Sequence, residues 1–156
     1  MPASTITIPI VVVTDEHYVI LLGVLLKSIE ANHKTGEKIH IYVIEDDVSK
    51  TSKEKLAVSV SPDMFSISWM KMEEIIPPGV KLPADRTSWP LTIYLRLFME
   101  FIVPADTKKA LFLDVDTIVL EDISKLYYTD MGDNVLAAVQ DPQLLTFDNE
   151  WGGIFN

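Results

Sequence analysis

The feature that most constrains the fold is an alternation of two apolar patterns in the first part of the chain. Residues 8–13 form a short run rich in β-branched side chains, which predicts a buried strand. Residues 39–44 repeat that pattern. Between them, apolar side chains recur at helical spacing and predict a helix that ends near Asn32: Tyr18, Leu21, Leu22, Leu25, Leu26 and Ile29. Strands that alternate with helices favour an α/β fold with a mostly parallel sheet.

The rest of the chain continues without a domain-separating linker, so we expect a single domain over residues 1–156. Residues 49–60 predict a second helix, with Thr51 and Glu54 at capping-box spacing. Prolines and a glycine make residues 72–87 read as a long loop. The remaining expectations are a strand at 65–70, a helix from Pro90 with Tyr94, Leu97, Phe98 and Phe101 as its apolar face, a strand at 111–119, a helical turn at 123–127 and a strand at 135–139.

Composition excludes several classes of protein. The formal net charge is −10, so no basic patch is available to a general nucleic-acid binder. The chain has no cysteine, which removes disulfides and thiolate metal sites. No apolar run is long enough for a transmembrane segment, and the N-terminus lacks the basic start of a secretion signal. We therefore expect a cytoplasmic protein, with peripheral association at a membrane left open.

Two aspartates interrupt the predicted strand at residues 111–119. Side chains two residues apart on an extended segment point to the same side. Asp114 and Asp116 would therefore converge while Val115 faces the other way. The flanking sequence offers no basic residue inside this segment. Two carboxylates without a local counter-charge recruit a cation or share a proton, and a hard divalent ion suits their oxygens.

Acidic side chains also follow the first two predicted strands. Asp15 comes after the first strand, and the acidic residues 45–47 come after the second. In a parallel sheet these acids and the Asp114–Asp116 pair share one edge, where ligands of α/β folds bind. Taken alone, residues 45–47 favour a solvated strand end over a site.

Two other classes of protein share an Asp-x-Asp pattern. A calcium loop of the EF-hand type is excluded, because Val119 occupies the sixth position, where that loop needs glycine. A haloacid-dehalogenase-type phosphatase also begins with Asp-x-Asp after an apolar strand. Its threonine usually stands two places after the second aspartate, whereas Thr117 directly follows Asp116. The phosphatase remains the alternative enzyme class.

The sequence FLDVDTIVLEDI at residues 112–123 closely resembles the metal-binding segment of the retaining glycosyltransferases of family 8. That family includes bacterial lipopolysaccharide galactosyl- and glucosyltransferases and the glycogenins. Residues 10–18 resemble the family's first strand and nucleotide-binding turn. Residues 92–97 resemble its helix with a donor-contacting arginine, and residues 131–141 resemble the strand that follows the metal motif. Order and spacing agree from about residue 8 to residue 141.

The resemblance implies a GT-A fold, which is a Rossmann-like sheet sandwiched by helices. It also implies a UDP-sugar donor, Mn²⁺ or Mg²⁺ held by Asp114 and Asp116, and transfer of a hexose with retention to a saccharide or glycolipid acceptor. No catalytic residue is assigned, but Asp141 matches an acid near the donor sugar. The positions that match nucleotide-sugar contacts are Thr14, Asp15, His17, Tyr18, Arg96, Asp114, Val115 and Asp116.

Five of these positions also have a plain structural interpretation. Asp15 could cap the first helix, and Tyr18 could be that helix's first core residue. Arg96 could be a solvated residue on a polar helix face. Asp141 precedes a proline, which is typical of an ordinary turn. His17 stands where the family often has asparagine. Taken alone, a histidine there favours an exposed polar residue over a metal ligand.

Residues 151–156 resemble the start of a family segment that continues into another strand. The family's metal-binding histidine and acceptor-side residues would come after it. We therefore expect the nucleotide-binding part of a larger enzyme, truncated at the C-terminus, with a metal under-coordinated by protein. Such a chain would expose a face that favours a homo-oligomer. A catalytically inactive nucleotide-sugar-binding module is the non-enzyme alternative.

Overall fold

A four-stranded sheet forms the centre of the protein in a computed structural model that describes residues 6–80 and 91–139. Its order is β3-β2-β1-β4, and all three strand pairs are parallel. The predicted α/β fold with a mostly parallel sheet is confirmed. The strands are β1 (Thr7–Asp15), β2 (Lys38–Asp46), β3 (Phe65–Lys71) and β4 (Leu111–Phe112).

Helices follow the strands in the order that the sequence predicts. They are α1 (Val19–Asn32), α2 (Lys50–Ser59), the short α3 (Met72–Ile75), a 3₁₀ helix (Leu91–Phe101) and α4 (Ile123–Tyr127). The predicted end of α1 at Asn32 and the helical turn at residues 123–127 are confirmed. None of the helices in the described part of the chain has the length and apolar character needed to cross a bilayer.

The sheet is buried on both faces, which is why β1 and β2 read as nearly continuous apolar runs. One face packs against α1 and α2, and its fully buried residues include Ile10, Leu22 and Ile41. The other face packs against α3 and the 3₁₀ helix through Val11, Ile44 and Leu95, among others. Pro9 is also buried, in β1, which like β2 has a partner strand on each side.

The start of α2 differs from the predicted capping box. Ser49 is the N-cap, and its hydroxyl accepts the Ser52 N–H at 3.1 Å. The pairing of Thr51 with Glu54 was therefore wrong, because the helix begins one residue before Thr51. The backbone N–H of Ser49 is itself held by the Glu16 carboxylate at 2.8 Å. The turn after β1 thus places the N-terminus of α2.

The predicted loop at residues 72–87 was wrong in its first four residues, which form α3. The carboxylate of Glu74 accepts the Lys71 N–H at 3.3 Å, and Ile75 is buried against the sheet. These two contacts stabilise one helical turn ahead of the prolines. Residues 81–87 of the predicted loop lie outside the described residues.

The predicted apolar face of the next helix was wrong at Leu97 and Phe101, whereas Phe98 packs against the core as predicted. Leu97 is 73% exposed and Phe101 is 56% exposed, whereas Leu95 and Ile102 are buried. The segment winds as a 3₁₀ helix, with a kink at Phe98. Three residues per turn, instead of 3.6, move a stripe chosen for an α-helix off the buried side. Pro90, the predicted first residue, lies outside the described part.

The predicted strand at residues 135–139 was wrong as well. The described residues form no strand there, and Val135, Leu136 and Val139 are largely exposed. An apolar run becomes a strand only where a neighbouring strand accepts its hydrogen bonds. In the part of the chain that the structure describes, β4 lies at the edge of the sheet and nothing pairs beyond it.

Candidate functional site

The site lies at the edge of the sheet where the parallel strands end. Asp15 and Asp46 occupy paired positions at the ends of β1 and β2. β4 runs in the same direction beside β1, and the chain leaves it toward Asp114. The prediction that these acids share one edge of a parallel sheet is confirmed. Ligands of α/β folds bind at this edge because the loops there can vary without disturbing the core.

The Asp114–Asp116 segment is a turn and not the predicted strand. After Phe112 only the Leu113 N–H continues the ladder, to the Val11 carbonyl at 3.1 Å. The Asp114 carbonyl then accepts the Thr117 N–H at 3.1 Å, which closes a four-residue turn. The strand prediction for residues 113–119 was therefore wrong.

Exposure along this turn still alternates as the sequence suggested. Both Asp114 and Asp116 are exposed, whereas Val115 is partly buried and packs against the core beneath α1. The packing of Val115 directs the intervening backbone inward and leaves the two carboxylates toward solvent. The predicted separation of Val115 from the acids is confirmed, although a turn produces it.

Arg96 supplies a counter-charge that the sequence did not show. Its Nη2 lies 3.3 Å from Asp114 Oδ1, and its guanidinium lies 5.0 Å from the centre of the Phe112 ring. The interpretation of Arg96 as a merely solvated residue was wrong. The expectation that the aspartates lack a local counter-charge was also wrong, because the partner comes from the helix that precedes β4.

The turn after β1 contains Thr14, Asp15, His17 and Tyr18. Asp15 Oδ1 accepts the Tyr18 N–H at 2.8 Å in the turn before α1. The N-cap of α1 is Tyr18 and has no side-chain cap, so the predicted capping of that helix by Asp15 was wrong. Tyr18 is 49% exposed, which overturns its interpretation as a core residue. His17 is exposed as predicted, with its ring edge-on to Tyr18. Thr14 is buried and donates its hydroxyl to the Asp15 carbonyl at 3.3 Å.

Glu45 is a structural acid and not part of a solvated strand end. It is buried, and it accepts hydrogen bonds from the Val48 N–H at 2.7 Å and from Lys53 Nζ at 2.6 Å. Burial alone would raise the pKa of Glu45, but the Lys53 and Val48 hydrogen bonds outweigh it and lower that pKa. The neighbouring Asp46 and Asp47 are exposed, as predicted.

Sequence reasoning missed Glu16, which connects the site turn to α2. Its carboxylate accepts hydrogen bonds from the N–H and hydroxyl of Ser49 and from the Ser52 hydroxyl. The bond from the Ser49 N–H, followed by that from Ser52, lowers the pKa of Glu16. The only signal in the sequence was a Ser-x-x-Ser spacing at the start of a helix, which by itself says nothing about Glu16.

The sequence matches the family described as glycosyl transferase family 8 over residues 9–155. The chain belongs to glycosyl transferase family 8. Its predicted membership in that family, and the GT-A fold that goes with it, are confirmed.

Known proteins that resemble this family 8 chain are longer than it is. General stress protein A of Bacillus subtilis (strain 168) is 25% identical over 133 residues, which are 85% of this chain and 46% of that protein. The chain thus spans about half the length of this relative.

Solved glycosyltransferase structures show the same fold. The apo bifunctional glycosyltransferase WbbM superposes with a TM-score of 0.70 and 26% identity, over 90% of this chain and 24% of WbbM. The galactosyltransferase LgtC, solved with donor and acceptor sugar analogs, gives a TM-score of 0.61 and 26% identity, over 81% of this chain and 44% of LgtC.

The residues of this family 8 chain fit a hard divalent cation in the type of their donor atoms. Asp114 and Asp116 offer exposed carboxylate oxygens, the ligands that Mn²⁺ and Mg²⁺ prefer. Within residues 6–80 and 91–139, no group of three or more His, Cys, Asp or Glu side chains could hold a metal. Oxygens of a bound ligand, or residues outside the described ranges, would complete the coordination. Asp141 and residues 151–156 lie outside the described residues.

Proposed function

We propose that this chain is the nucleotide-sugar-binding part of a metal-dependent glycosyltransferase. The enzyme would transfer a hexose from a UDP-sugar to a saccharide or glycolipid acceptor with retention of configuration. The observation that carries the proposal is the exposed pair Asp114 and Asp116 at the strand-end edge of a family 8 fold, with Arg96 beside it. The two aspartates offer ligands for a metal ion, and the positively charged Arg96 side chain offers a partner for a phosphate group.

Different residues of the chain would contact different parts of the sugar nucleotide. The Arg96 guanidinium can donate hydrogen bonds to diphosphate oxygens. Asp15 uses Oδ1 to hold the Tyr18 N–H, and its other carboxylate oxygen can accept the uracil N3–H. The exposed Tyr18 ring offers an aromatic face to the base.

A divalent ion bound by Asp114 and Asp116 would supply charge that stabilises the UDP leaving group. The protein's contribution is to present the two carboxylates at one edge, next to the positions assigned to the base. With a formal net charge of −10, the chain would otherwise repel a diphosphate. The acidic composition therefore agrees with a ligand that arrives together with its metal.

The similar solved structures support a sugar transfer reaction. LgtC is a galactosyltransferase solved with donor and acceptor sugar analogs, and WbbM is a bifunctional glycosyltransferase. Family membership favours the transferase over the haloacid-dehalogenase-type phosphatase. A protein that binds nucleotide sugars without turnover remains the second candidate, because the described residues supply two acidic metal ligands and no third.

Calorimetric titration with UDP in the presence of Mn²⁺ tests the proposal. We expect the wild type to bind and Asp116→Ala to bind at least about tenfold more weakly, because a carboxylate ligand is lost. Asp63→Ala is the matched control, since it removes one exposed carboxylate just before β3, at the opposite edge of the sheet. Absence of binding by the wild type, or equal binding by Asp116→Ala, would overturn the proposal.

Two activity assays separate the alternatives. Hydrolysis or transfer of a UDP-hexose by the full-length protein supports the transferase, whereas tight UDP binding without turnover supports the binding module. Release of phosphate from p-nitrophenyl phosphate that is lost in Asp114→Asn would favour the phosphatase instead.

A further inference from the structure

The Asp114–Asp116 turn has a second support besides the sheet. On one side of the turn, β4 pairs with β1 at two positions, and the Leu113 N–H adds one more bond to Val11. On the other side, residues 117–120 have no strand partner in the described structure. The segment is nevertheless bonded there, by side chains at the C-terminal end of α1.

Both backbone groups of Val119 are satisfied by α1. The Val119 N–H donates to Ser28 Oγ at 2.9 Å, and the Val119 carbonyl accepts from Asn32 Nδ2 at 2.9 Å. A neighbouring strand would satisfy these same two groups in a ladder. Ser28 and Asn32 thus take the place of a strand partner for one residue.

These two side chains are themselves fixed on the helix. The Ser28 hydroxyl donates to the Leu25 carbonyl at 2.7 Å. Asn32 Nδ2 also donates to the Ser28 carbonyl at 2.9 Å. Because each side chain bonds its own helix as well as Val119, its rotamer is set before Val119 docks.

Three residues beyond Val119, Asp122 makes a denser set of contacts. Its carboxylate accepts the backbone N–H of Lys34 at 2.6 Å and that of Thr35 at 3.2 Å. It also bonds His33 Nδ1 at 2.9 Å and the Ser124 N–H at 3.0 Å. Burial alone would raise the pKa of Asp122, but these hydrogen bonds, led by that from Lys34, outweigh it and hold the pKa well below its usual range.

His33 completes the attachment from the interior. Its side chain is 1% exposed. Nε2 faces the Glu37 carbonyl at 3.0 Å while Nδ1 faces Asp122. With an oxygen beside each ring nitrogen, the imidazole is held from two sides.

We propose that Ser28, Asn32, His33 and Asp122, here called the α1 anchor, are positioning residues for Asp114 and Asp116. The turn is fixed at Leu113 by β1 and at Val119 by the α1 anchor, so a short segment is held at both ends. Freeing one end would let the two carboxylates sample other arrangements. A ligand would then have to order them on binding, which lowers its affinity.

The importance of the α1 anchor for ligand binding rests on the proposed function, whereas its effect on the turn does not. The experiment therefore has two readouts. The first is hydrogen exchange of the backbone in residues 113–119. The second is the affinity for UDP with Mn²⁺ by calorimetry.

The test variants are Ser28→Ala and Asn32→Ala, with Ser59→Ala as the control. Ser59 Oγ donates to the Leu56 carbonyl at 2.8 Å, the same local bond that Ser28 makes, but it has no contact with the turn. Ser28→Thr keeps the hydroxyl and should restore wild-type behaviour. Because each change removes one or two hydrogen bonds at a partly buried surface, the variants are expected to fold.

We expect faster exchange in residues 113–119 for Ser28→Ala and Asn32→Ala, with unchanged exchange in β2. We also expect roughly tenfold weaker binding of UDP with Mn²⁺, from the lost preorganisation. Ser59→Ala should match the wild type in both readouts. Unchanged exchange in the two variants would overturn the proposal.

Two other results are also decisive. Faster exchange with unchanged affinity would overturn the positioning role and leave the proposed function intact. If the wild type itself does not bind UDP, the proposed function fails and exchange alone decides the α1 anchor. In that case faster exchange supports attachment of the turn by α1, and unchanged exchange refutes it.

Discussion

The two flanks of β1 are built in different ways. On the β2 side, all nine residues of β1 are paired in register, from Thr7 with Lys38 to Asp15 with Asp46. On the β4 side two positions are paired, and the chain then leaves the ladder for the Asp114–Asp116 turn. The first flank consists mainly of buried aliphatic residues, and the second carries the exposed acids.

The difference separates stability from ligand binding within one sheet. Residues of the long ladder are withdrawn from water, so changing them should lower the free energy of unfolding of the whole domain. Residues of the short flank are less buried and are attached largely by side chains, so changing them should cost less unfolding free energy and should also alter binding and local opening. Substitutions at three positions test this contrast, taken from the largest expected effect on stability to the smallest.

Ile41→Ala tests the long ladder. Ile41 is completely buried in β2, and truncation of such a side chain leaves a cavity that costs about 4 kcal/mol of unfolding free energy. Urea denaturation measures the loss. Val58→Ala is the control, because Val58 is 86% exposed, and its effect should stay within about 0.5 kcal/mol. Equal stability of the two variants would show that the long ladder does not dominate the domain's stability.

Asp122→Ala tests the attachment of the short flank. The substitution leaves the Lys34 and Thr35 N–H groups and buried His33 without their acceptor. Removing the shared charged acceptor of these hydrogen bonds costs about 2 kcal/mol. Glu121→Ala is the matched control, because Glu121 precedes Asp122 directly and its carboxylate is exposed and pairs with Lys125. A loss as small as the control's in urea denaturation would contradict the role of Asp122.

The acid dependence of the same residue has a definite sign. Because folding lowers the pKa of Asp122, its contribution is fully present above the ordinary carboxyl pKa of about 4 and is lost as the pH falls below that value. The stability difference between wild type and Asp122→Asn should therefore shrink on acidification below about pH 4. A difference that stays constant in urea denaturation from neutral to acid pH would contradict this.

Arg96→Ala should have the smallest effect on stability. Its ion pair with Asp114 is exposed on both sides, and such pairs contribute about 0 to 1 kcal/mol. Binding should change in two directions. Affinity for Mn²⁺ alone should rise a few-fold, by about 0.5 to 1 kcal/mol, because Asp114 loses a competing cation. Affinity for UDP with Mn²⁺ should fall, because a phosphate donor is lost.

Lys125→Ala, which removes an exposed lysine from the Glu121 pair, is the control for charge. Calorimetry with Mn²⁺ alone and with UDP and Mn²⁺ gives both affinities. A fall in both, or no change in either, would refute the competition between Arg96 and the cation for Asp114.

The long flank could be predicted from the sequence because its signals are local. Each of its elements is a short continuous segment: the β-branched runs of β1 and β2 and the apolar stripe of α1. The periodicity of the sequence is therefore enough to locate them. Their parallel arrangement then follows from the connecting helix. The prediction that Asp15 and the Asp114 segment share one edge needed no further information.

The short flank could not be predicted in the same way because its contacts are distant along the chain. Ser28 and Val119 are 91 residues apart, and Arg96 and Asp114 are 18 residues apart. Neither pair leaves a periodic signal. Leu113 and Val115 also alternate with the exposed acids in the turn as they would in a strand, so the pattern could not reveal where β4 ends.

Pro9 has a consequence for the position of the acids at the sheet edge. Backbone groups of successive strand residues point to opposite sides, and the Val11 carbonyl bonds toward β4, so the Pro9 nitrogen faces β4 too. If β4 shifted by two residues, its side chains would stay on the same faces of the sheet. One of its carbonyls would then face the Pro9 nitrogen, which has no hydrogen to donate. Pro9 therefore helps to fix the register of β1 and β4. It disfavours the two-residue shift of β4 that would pair Asp114 with Val11.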